Sequence, residues 1–460
     1  MHKSNVNYSS LMLRLLSLGD IGLFCVAFFL AGDNSDSDIF EQSRITSWLL
    51  FVFIMQLSFL GLGLYKSKIR EKVLGLLRRL FIASTVSYIL LTIFNQLNVN
   101  PYLSNDLILT ACFYGFTFTA VFRFLLYKFN VLGFAKRNVL VLGSGQRALV
   151  IETRMRRQVD RQGYNLVGFV PMGGDINKEI AAEHIVILPT NLVDFVLQNQ
   201  IHEIVVATDE RRGTLPVDEL FACKIRGVSV TEILDFIEDE TGQIAVNLIY
   251  PSWIIYSQGF TSSNDLRSTF DRLFNSCMAI ALFILTWPFM LLAALAIKIE
   301  DGIAAPVLYW QERIGFNGKV FKIVKFRSMS LDAERDGAKW ATENDTRVTK
   351  VGRILRKYRI DELPQIYNVL TGDMCFVGPR PERPEFVDKL KVNIPYYAER
   401  HTVKSGLTGW AQLKYAYGAT EEDAMEKLKY DLYYIKHRSF MLDLLILIQT
   451  AEVILFGRGR

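Results

Sequence analysis

Two adjacent carboxylates, Asp361 and Glu362, stand at the end of a run of cations. The run reads Gly352-Arg353-Ile354-Leu355-Arg356-Lys357-Tyr358-Arg359-Ile360, and Leu363-Pro364-Gln365 leads on to an apolar helical continuation ending at Leu370. Proline in an early turn, preceded by acids, is a helix-start signature with Asp361 near the cap. A carboxylate there, amid Arg353, Arg356 and Arg359, stays ionised at neutral pH and lies where phosphate oxygens would also bind. The plainer alternative is an N-cap with solvated arginines.

Two further cation clusters accompany the pair. Lys325-Phe326-Arg327-Ser328-Met329 follows Gln311-Glu312-Arg313-Ile314-Gly315 and the alternating run Val320 to Val324. That pattern suits an edge or hairpin strand presenting cations. Gly378-Pro379-Arg380-Pro381-Glu382-Arg383-Pro384 is too rich in proline for an element interior and forms a stiff loop. Arginines fixed on such a frame suit phosphate or carboxylate recognition, because little rotamer entropy remains to be lost. Lys404, ahead of the glycine-rich turn around Trp410, and Asp431, a lone acid among Tyr430, Tyr433 and Tyr434, are weaker candidates. An aromatic stripe is more often core or interfacial anchor than a base platform.

The elements that must position these groups are partly membranous. Of 460 residues, 50% are hydrophobic and 22% charged, which excludes disordered and fibrous classes. A mean hydropathy of +0.20 is high for a soluble enzyme, yet the charge content is too large for membrane spans alone. Four apolar stretches, Leu11 to Ala31, Trp48 to Tyr65, Leu80 to Phe94 and Leu107 to Tyr127, are each about long enough to cross ~30 Å of hydrocarbon. The first connection is acidic (Asp33, Asp36, Asp38, Glu41), whereas the second holds Lys66, Lys68, Arg70, Lys72, Arg78 and Arg79. Positive residues stay inside, so the N-terminus and everything after residue 130 are expected in the cytosol. A buried helical bundle in a soluble protein is the alternative.

A fifth stretch, Cys277 to Ile297, has Pro288 at its centre. Proline removes a backbone donor and disfavours helical geometry at Trp287, so a bent, re-entrant helix over about 273–298 is expected, against a kinked full span. The net charge of +5 suits anionic headgroups or phosphorylated substrates, and no Lys/Arg tract supports nucleic-acid binding. Five scattered cysteines (Cys25, Cys112, Cys223, Cys277, Cys375) without a CxxC pair argue against a disulfide framework or structural zinc.

Between Arg137 and Ser262 the composition is that of an α/β domain. Strand-like runs at Asn138 to Leu142, Leu166 to Val170, His184 to Leu188 and Glu203 to Ala207 alternate with polar helix-length segments. The first runs into Gly143-Ser144-Gly145-Gln146-Arg147-Ala148, close to a dinucleotide fingerprint. No acid ends the second strand, so a ribose contact lacks support. Gly143 and Gly145 thus either approach a bound nucleotide or only make the tight turn of a Rossmann-like packing or regulatory domain.

KFRSM (325–329), RKYRIDELPQ (356–365), GDMCFVGPRPERP (372–384) and GLTGWAQ (406–412), in that order, closely resemble the bacterial sugar transferase family of monotopic phosphoglycosyl transferases. Four spans and a Rossmann-like domain ahead of them resemble its long polyprenyl-phosphate hexose-1-phosphate transferase subfamily. Pro251-Ser252-Trp253 and Ser257-Gln258-Gly259-Phe260 add a weaker likeness to exosortase-associated members. Ser405 departs from the family's usual proline at that position.

The resemblance implies a membrane α plus α/β architecture: four transmembrane helices over 1–130, a Rossmann-like domain over 131–262, and a catalytic domain over 265–460 with its re-entrant helix. It implies transfer of hexose 1-phosphate from a UDP-sugar to undecaprenyl phosphate, releasing UMP, to start exopolysaccharide or O-antigen repeat units. Asp361 would be the nucleophile and Glu362 the ligand of Mg²⁺, with Mn²⁺ as a substitute. Lys325, Arg327, Arg356, Arg380, Arg383, Lys404 and Asp431 would bind substrate. Membrane lipid, a homodimer partner and downstream glycosyltransferases are the implied associates, at the bacterial inner membrane with the catalytic domain cytosolic. A membrane-tethered nucleotide-sugar dehydratase or epimerase is a rival, but its chemistry needs a YxxxK pair and none occurs. A non-catalytic scaffold is the other, against which the intact acid pair and arginines speak.

Overall fold

The computed structural model describes residues 8–32, 42–65, 73–96, 104–129, 136–154, 163–175, 180–188, 191–210, 214–260, 265–330, 332–333, 345–415, 418 and 420–455. The acids of the first connection and Lys66, Lys68, Arg70 and Lys72 of the second lie outside these residues. The chain divides into two compact units, Met1–Gly242 and Gln243–Arg460.

The first unit begins with four apolar helices: α1 (Tyr8–Ala31), α2 (Gln42–Gly61), α3 (Val73–Gln96) and α4 (Asn105–Lys128). Each contains a window long and apolar enough to cross a membrane. Asp20 of α1 and Arg123 of α4 pair at 2.6 Å, both buried, and the Tyr65 hydroxyl donates to the same carboxylate oxygen at 2.8 Å. Pairing is what allows two opposite charges to persist between apolar helices.

An α/β segment follows: β1 (Arg137–Leu142), α5 (Gln146–Arg154), β2 (Tyr164–Val170), α6 (Leu192–Gln198), β3 (Glu203–Val206), α7 (Val217–Ile225), β4 (Ser229–Glu232) and α8 (Ile233–Thr241). The strands are all parallel in the order β2-β1-β3-β4. Parallel pairing needs crossover connections, which explains why helical and strand patterns alternate here. The run His184 to Leu188 is not a full strand: Ala182–His184 is a 3₁₀ turn and Ile185 makes one bridge to Phe169. The fourth strand lies instead at Ser229–Glu232, too short and too polar to stand out in the sequence.

The second unit contains α9 (Pro251–Tyr256), α10 (Asp265–Asp301), β5 (Leu308–Ile314), β6 (Val320–Phe326), α11 (Lys350–Lys357), α12 (Ile366–Thr371), β7 (Met374–Val377), α13 (Pro384–Asn393), β8 (Ser405–Thr408), α14 (Trp410–Lys414), α15 (Glu421–His437) and α16 (Phe440–Leu455). Strands β5 and β6 form an antiparallel hairpin in which Leu308 faces Phe326 and Ile314 faces Val320. The buried Asn368 side chain continues that sheet: its Oδ1 accepts from Val324 N and its Nδ2 donates to Lys322 O.

Helix α10 has 37 residues and stays helical through Pro288, where a bend is expected. At ~1.5 Å per residue it is roughly 55 Å long if straight. The same unit grips both of its ends. Near the start, Asp271 pairs with Arg438 at 2.7 Å and Asn275 Oδ1 accepts from Phe376 N. Near the end, Ala293 and Ile297 pack against Phe326 and Leu355, and Glu300 accepts from the N–H groups of Lys350 and Val351. Between them Ile284 and Leu285 are 65% and 71% exposed.

Residues before Ser262 also belong to this unit, so the boundary read from composition falls some twenty residues late. Ile244 N donates to Lys429 O, Gln243 Nε2 donates to the Tyr430 hydroxyl, and Lys436 lies 4.6 Å over the ring of the buried Trp253. A chain starting at Gln243 should therefore outlast heating in detergent better than one starting at Ser262. The shorter chain forfeits Trp253, a loss of about 3 kcal/mol or more. Equal melting temperatures would show that the segment adds nothing.

Candidate active site

Lys325 lies on β6 directly opposite Tyr309, on the hairpin face that also carries Gln311 and Arg313. Beside it, Ile360–Gln365 forms a 3₁₀ turn running into α12. Arg359 precedes the turn with φ 54°, in the left-handed region. Such backbone costs a non-glycine residue about 1–3 kcal/mol and is retained where the surroundings over-determine it. Here it presents Asp361 and Glu362 together.

Glu362 is held by three cations from three segments. Arg380 Nη2 lies 2.6 Å and Lys325 Nζ 3.5 Å from its Oε1, while Arg359 Nη1 lies 3.2 Å from Oε2. Burial alone would raise the Glu362 carboxyl; Arg380, Lys325 and Arg359 outweigh it and hold the group well below the ordinary carboxylate range. Asp361 moves the other way. It is 8% exposed with no hydrogen-bond partner among the described residues, and burial, then the Glu362 charge, keep it above the ordinary range despite Lys325, Arg356 and Arg380. The cap position read for Asp361 is taken by Arg359, and of the three arginines expected around Asp361 it is Arg359 that turns to Glu362. Burial likewise lowers Lys325 to about 8, with Glu362 opposing the shift.

The Arg380 loop is set by close backbone crossings. Gly378 N donates to Thr408 O, and Gly406 and Gly409 both approach Gly378 so nearly that a Cβ on either would collide with its main chain. Arg313, absent from the candidates read in sequence, lies 3.7 Å from Glu382 and donates to Pro381 O at 3.3 Å. Its signal was available in the alternation of β5, where Tyr309, Gln311 and Arg313 share one face.

Several expected substrate ligands stand elsewhere. Arg327 is buried against Asp301 of α10 at 2.6 Å, and Arg356 donates to Ser328 Oγ at 3.0 Å while still bearing on Asp361. Arg383 sits at the start of α13, 3.6 Å from Glu385. Lys404 stands beside Gly372. Asp431 is buried 2.8 Å from Arg400 and is not presented to the cluster; burial, against Arg400, raises it to about 6. Glu362 suits a divalent ion in being ionised at any ordinary pH. Among the described residues no group of three or more His, Cys, Asp or Glu stands together as a metal site.

In the first unit Gly143 does make the expected close turn, with φ +127° and a Cβ position 2.6 Å from Ala207 O. The phosphate seat behind it is filled from within. Asp209 accepts from Gln146 N and Arg147 N at 3.0 and 2.9 Å, and Asp175 accepts from Ser144 N and Met172 N at 2.8 Å each. A pyrophosphate at Gly143 and Gly145 would have to displace both carboxylates, so as folded the loop does not offer these amides to a nucleotide.

Residues 266–457 match the family model described as bacterial sugar transferase. The chain is 39% identical to the UDP-N-acetylgalactosamine-undecaprenyl-phosphate N-acetylgalactosaminephosphotransferase of Aeromonas hydrophila, over 52% of this chain and 55% of that one. It is 31% identical to the undecaprenyl-phosphate glucose phosphotransferase of Komagataeibacter xylinus, over 70% and 60%. To the UDP-glucose:undecaprenyl-phosphate glucose-1-phosphate transferase of Escherichia coli (strain K12) it is 32% identical, over 69% and 68%. Its match thus spans a little over half of the first two relatives. The chain belongs to the bacterial sugar transferase family.

Replacing Asp209 by Ala should destabilise the first unit by about 1 kcal/mol, the worth of a helix cap. It should also create affinity for NAD⁺ or pyrophosphate, read as a thermal shift, that the unaltered protein lacks. A shift of equal size in the unaltered protein would mean that Asp209 yields to ligand and does not close the seat.

Proposed function

We propose that this protein is a membrane phosphoglycosyl transferase that moves hexose 1-phosphate from a UDP-sugar to undecaprenyl phosphate and releases UMP. The observation that carries the reading is the buried, unpaired Asp361 beside a Glu362 held by Lys325, Arg359 and Arg380, within the stretch matched by the family. An Asp361 carboxylate oxygen attacks the sugar-side phosphorus, the P–O bond to UMP breaks, and UMP leaves with the electron pair. The aspartyl phosphosugar is then attacked by a phosphate oxygen of the lipid carrier, which frees the carboxylate again. Splitting one displacement into two lets the nucleotide leave before the bulky lipid phosphate arrives. Lys325 and Arg380 face the transferred phosphate charge, with Arg356 near Asp361. Glu362 is the residue that would hold Mg²⁺, or Mn²⁺ in its place, and that ion when bound neutralises the departing nucleotide.

The architecture fits this chemistry. Helices α1 to α4 are read as transmembrane and the α/β segment as a Rossmann-like cytosolic domain. Helix α10 is read as dipping into the inner leaflet of the bacterial inner membrane from the cytosolic side. Support comes from its two ends: Asn275 and Ile297, ~33 Å apart in a straight helix, both contact the same compact unit, whereas a full crossing of ~30 Å of hydrocarbon would put them on opposite faces. This arrangement brings a water-soluble nucleotide and a lipid phosphate to the same carboxylate. A homodimer and onward transfer by glycosyltransferases complete the proposal.

UMP release from a panel of UDP-sugars, with the covalent adduct read by mass, tests it. Asp361→Asn should lower release roughly a thousandfold or more and abolish the adduct; substantial turnover by this variant sinks the nucleophile assignment. The pH profile has a sign on each side. Activity falls as pH drops through the raised Asp361 value, because the neutral acid cannot attack. It falls again as pH rises through about 8, where Lys325 loses its charge. Lys325→Arg keeps that charge and should move the alkaline limb upward; an unmoved limb would exclude Lys325 as its source.

A further inference from the structure

Arg400 is a buried charge next to the site that the reaction above does not use. Its side chain is 6% exposed and that of its partner Asp431 2%. Three groups share its guanidinium. Nη1 donates to the Tyr397 hydroxyl at 2.7 Å, and Nη2 lies 2.8 Å from Asp431 Oδ2 and donates to the main-chain oxygen of Arg380 at 3.0 Å. The next two carbonyls of the loop are also fixed, Pro381 O by Arg313 and Glu382 O by Ile314 N. Three consecutive carbonyls are therefore held by donors from β5 and from the 3₁₀ turn Tyr397–His401.

The Arg380 side chain itself is 34% exposed and reaches Glu362 through Nη2. Its direction is set by the main chain, stiffened by a proline on either side and anchored at its carbonyl. We propose that Arg400, oriented by Asp431 and Tyr397, is a positioning residue that sets the Arg380 backbone and thereby the guanidinium that grips Glu362. Arg400 touches no substrate. Its planar fork can serve three acceptors at once, which a lysine cannot. Asp431 supplies the charge without which a buried guanidinium would be strongly destabilising. The inference rests on reading Asp361 and Glu362 as the reacting pair.

The test uses the full chain in detergent, with Arg400→Lys, Asp431→Asn and the gentler Tyr397→Phe each made alone and in an Arg380→Ala background. A misplaced positive group costs roughly ten- to a hundredfold in turnover, so Arg400→Lys should lower UMP release by that factor with a smaller change in KM. In the Arg380→Ala background the same change should cost less than about twofold, since residues acting through one another are not additive. Multiplicative losses would overturn the proposal. Should Arg400→Lys or Asp431→Asn lose its melting transition, Tyr397→Phe carries the same comparison. Hydrogen exchange gives a readout independent of turnover: the amides of Ile314 and Gly406, which donate to the Glu382 and Pro379 carbonyls of the loop, should lose protection in the variants while those of Met374 to Val377 keep theirs. Unchanged protection across the loop sinks the positioning role. Absence of UMP release by the unaltered protein would instead sink the transferase reading.

Discussion

Everything in the second unit that bears on chemistry depends on keeping one carboxylate, Glu362, ionised where water scarcely reaches. Removing a carboxylate from water costs several kcal/mol, while one opposite charge at ~4 Å returns about 4 kcal/mol at an effective dielectric of 20. A single partner would break even; three leave a surplus. The three come from β6, from the strained residue before the 3₁₀ turn, and from the proline loop. Each segment must be fixed independently, and each is: by the β5 hairpin and Asn368, by the positive φ of Arg359, and by the crossing of Gly378 with Gly406 and Gly409.

Much of this was legible in the sequence, and most of the rest was lost to tertiary packing. Four apolar helices, alternating α/β segments, a hairpin bearing Lys325 and a stiff loop bearing Arg380 follow from periodicity and proline content. Which arginine meets which acid does not. Arg327 and Arg380 look equivalent as sequence, yet one is buried against the end of α10 and the other reaches Glu362. Asp431 among tyrosines reads as a ligand until its burial against Arg400 is seen. Side-chain direction is set by tertiary packing, and spacing carries no record of it. The missed β4 and the overestimated run at His184 have the same origin, for a four-residue strand is specified by the neighbour it pairs with.

Helix α10 illustrates a second limit. Proline lowers the cost of bending without dictating a break, and the chain remains helical through Pro288 while Thr286 bonds back to Leu282 O. What constrains the helix is contact at both ends, from Asp271 and Asn275 at one and from Ile297, Glu300 and Asp301 at the other. Those contacts, polar at Asp271, Asn275, Glu300 and Asp301 and apolar at Ile297, leave the apolar middle exposed between them. The position of the helix in its unit thus follows from contacts at its ends more than from the apolar stretch between them.

Two seats in this chain each hold a carboxylate and differ in the sign of their summed charge. At the end of β1 the seat is made of backbone amides, a partial positive charge of roughly half a unit at a helix start, and a whole carboxylate already sits on it. The sum of these is negative, so a phosphate arriving there meets repulsion, with the Gln146 and Arg147 amides already taken. Around Glu362 the sum is reversed. Lys325, Arg359 and Arg380 exceed the one carboxylate they hold by two charges, and Arg356 stands near Asp361 as well. Burying that excess favours an incoming diphosphate over any neutral ligand, because only an anion lets the cations relax. The same excess stabilises the ionised form of Asp361 against its burial, and a bound diphosphate would draw some of it away.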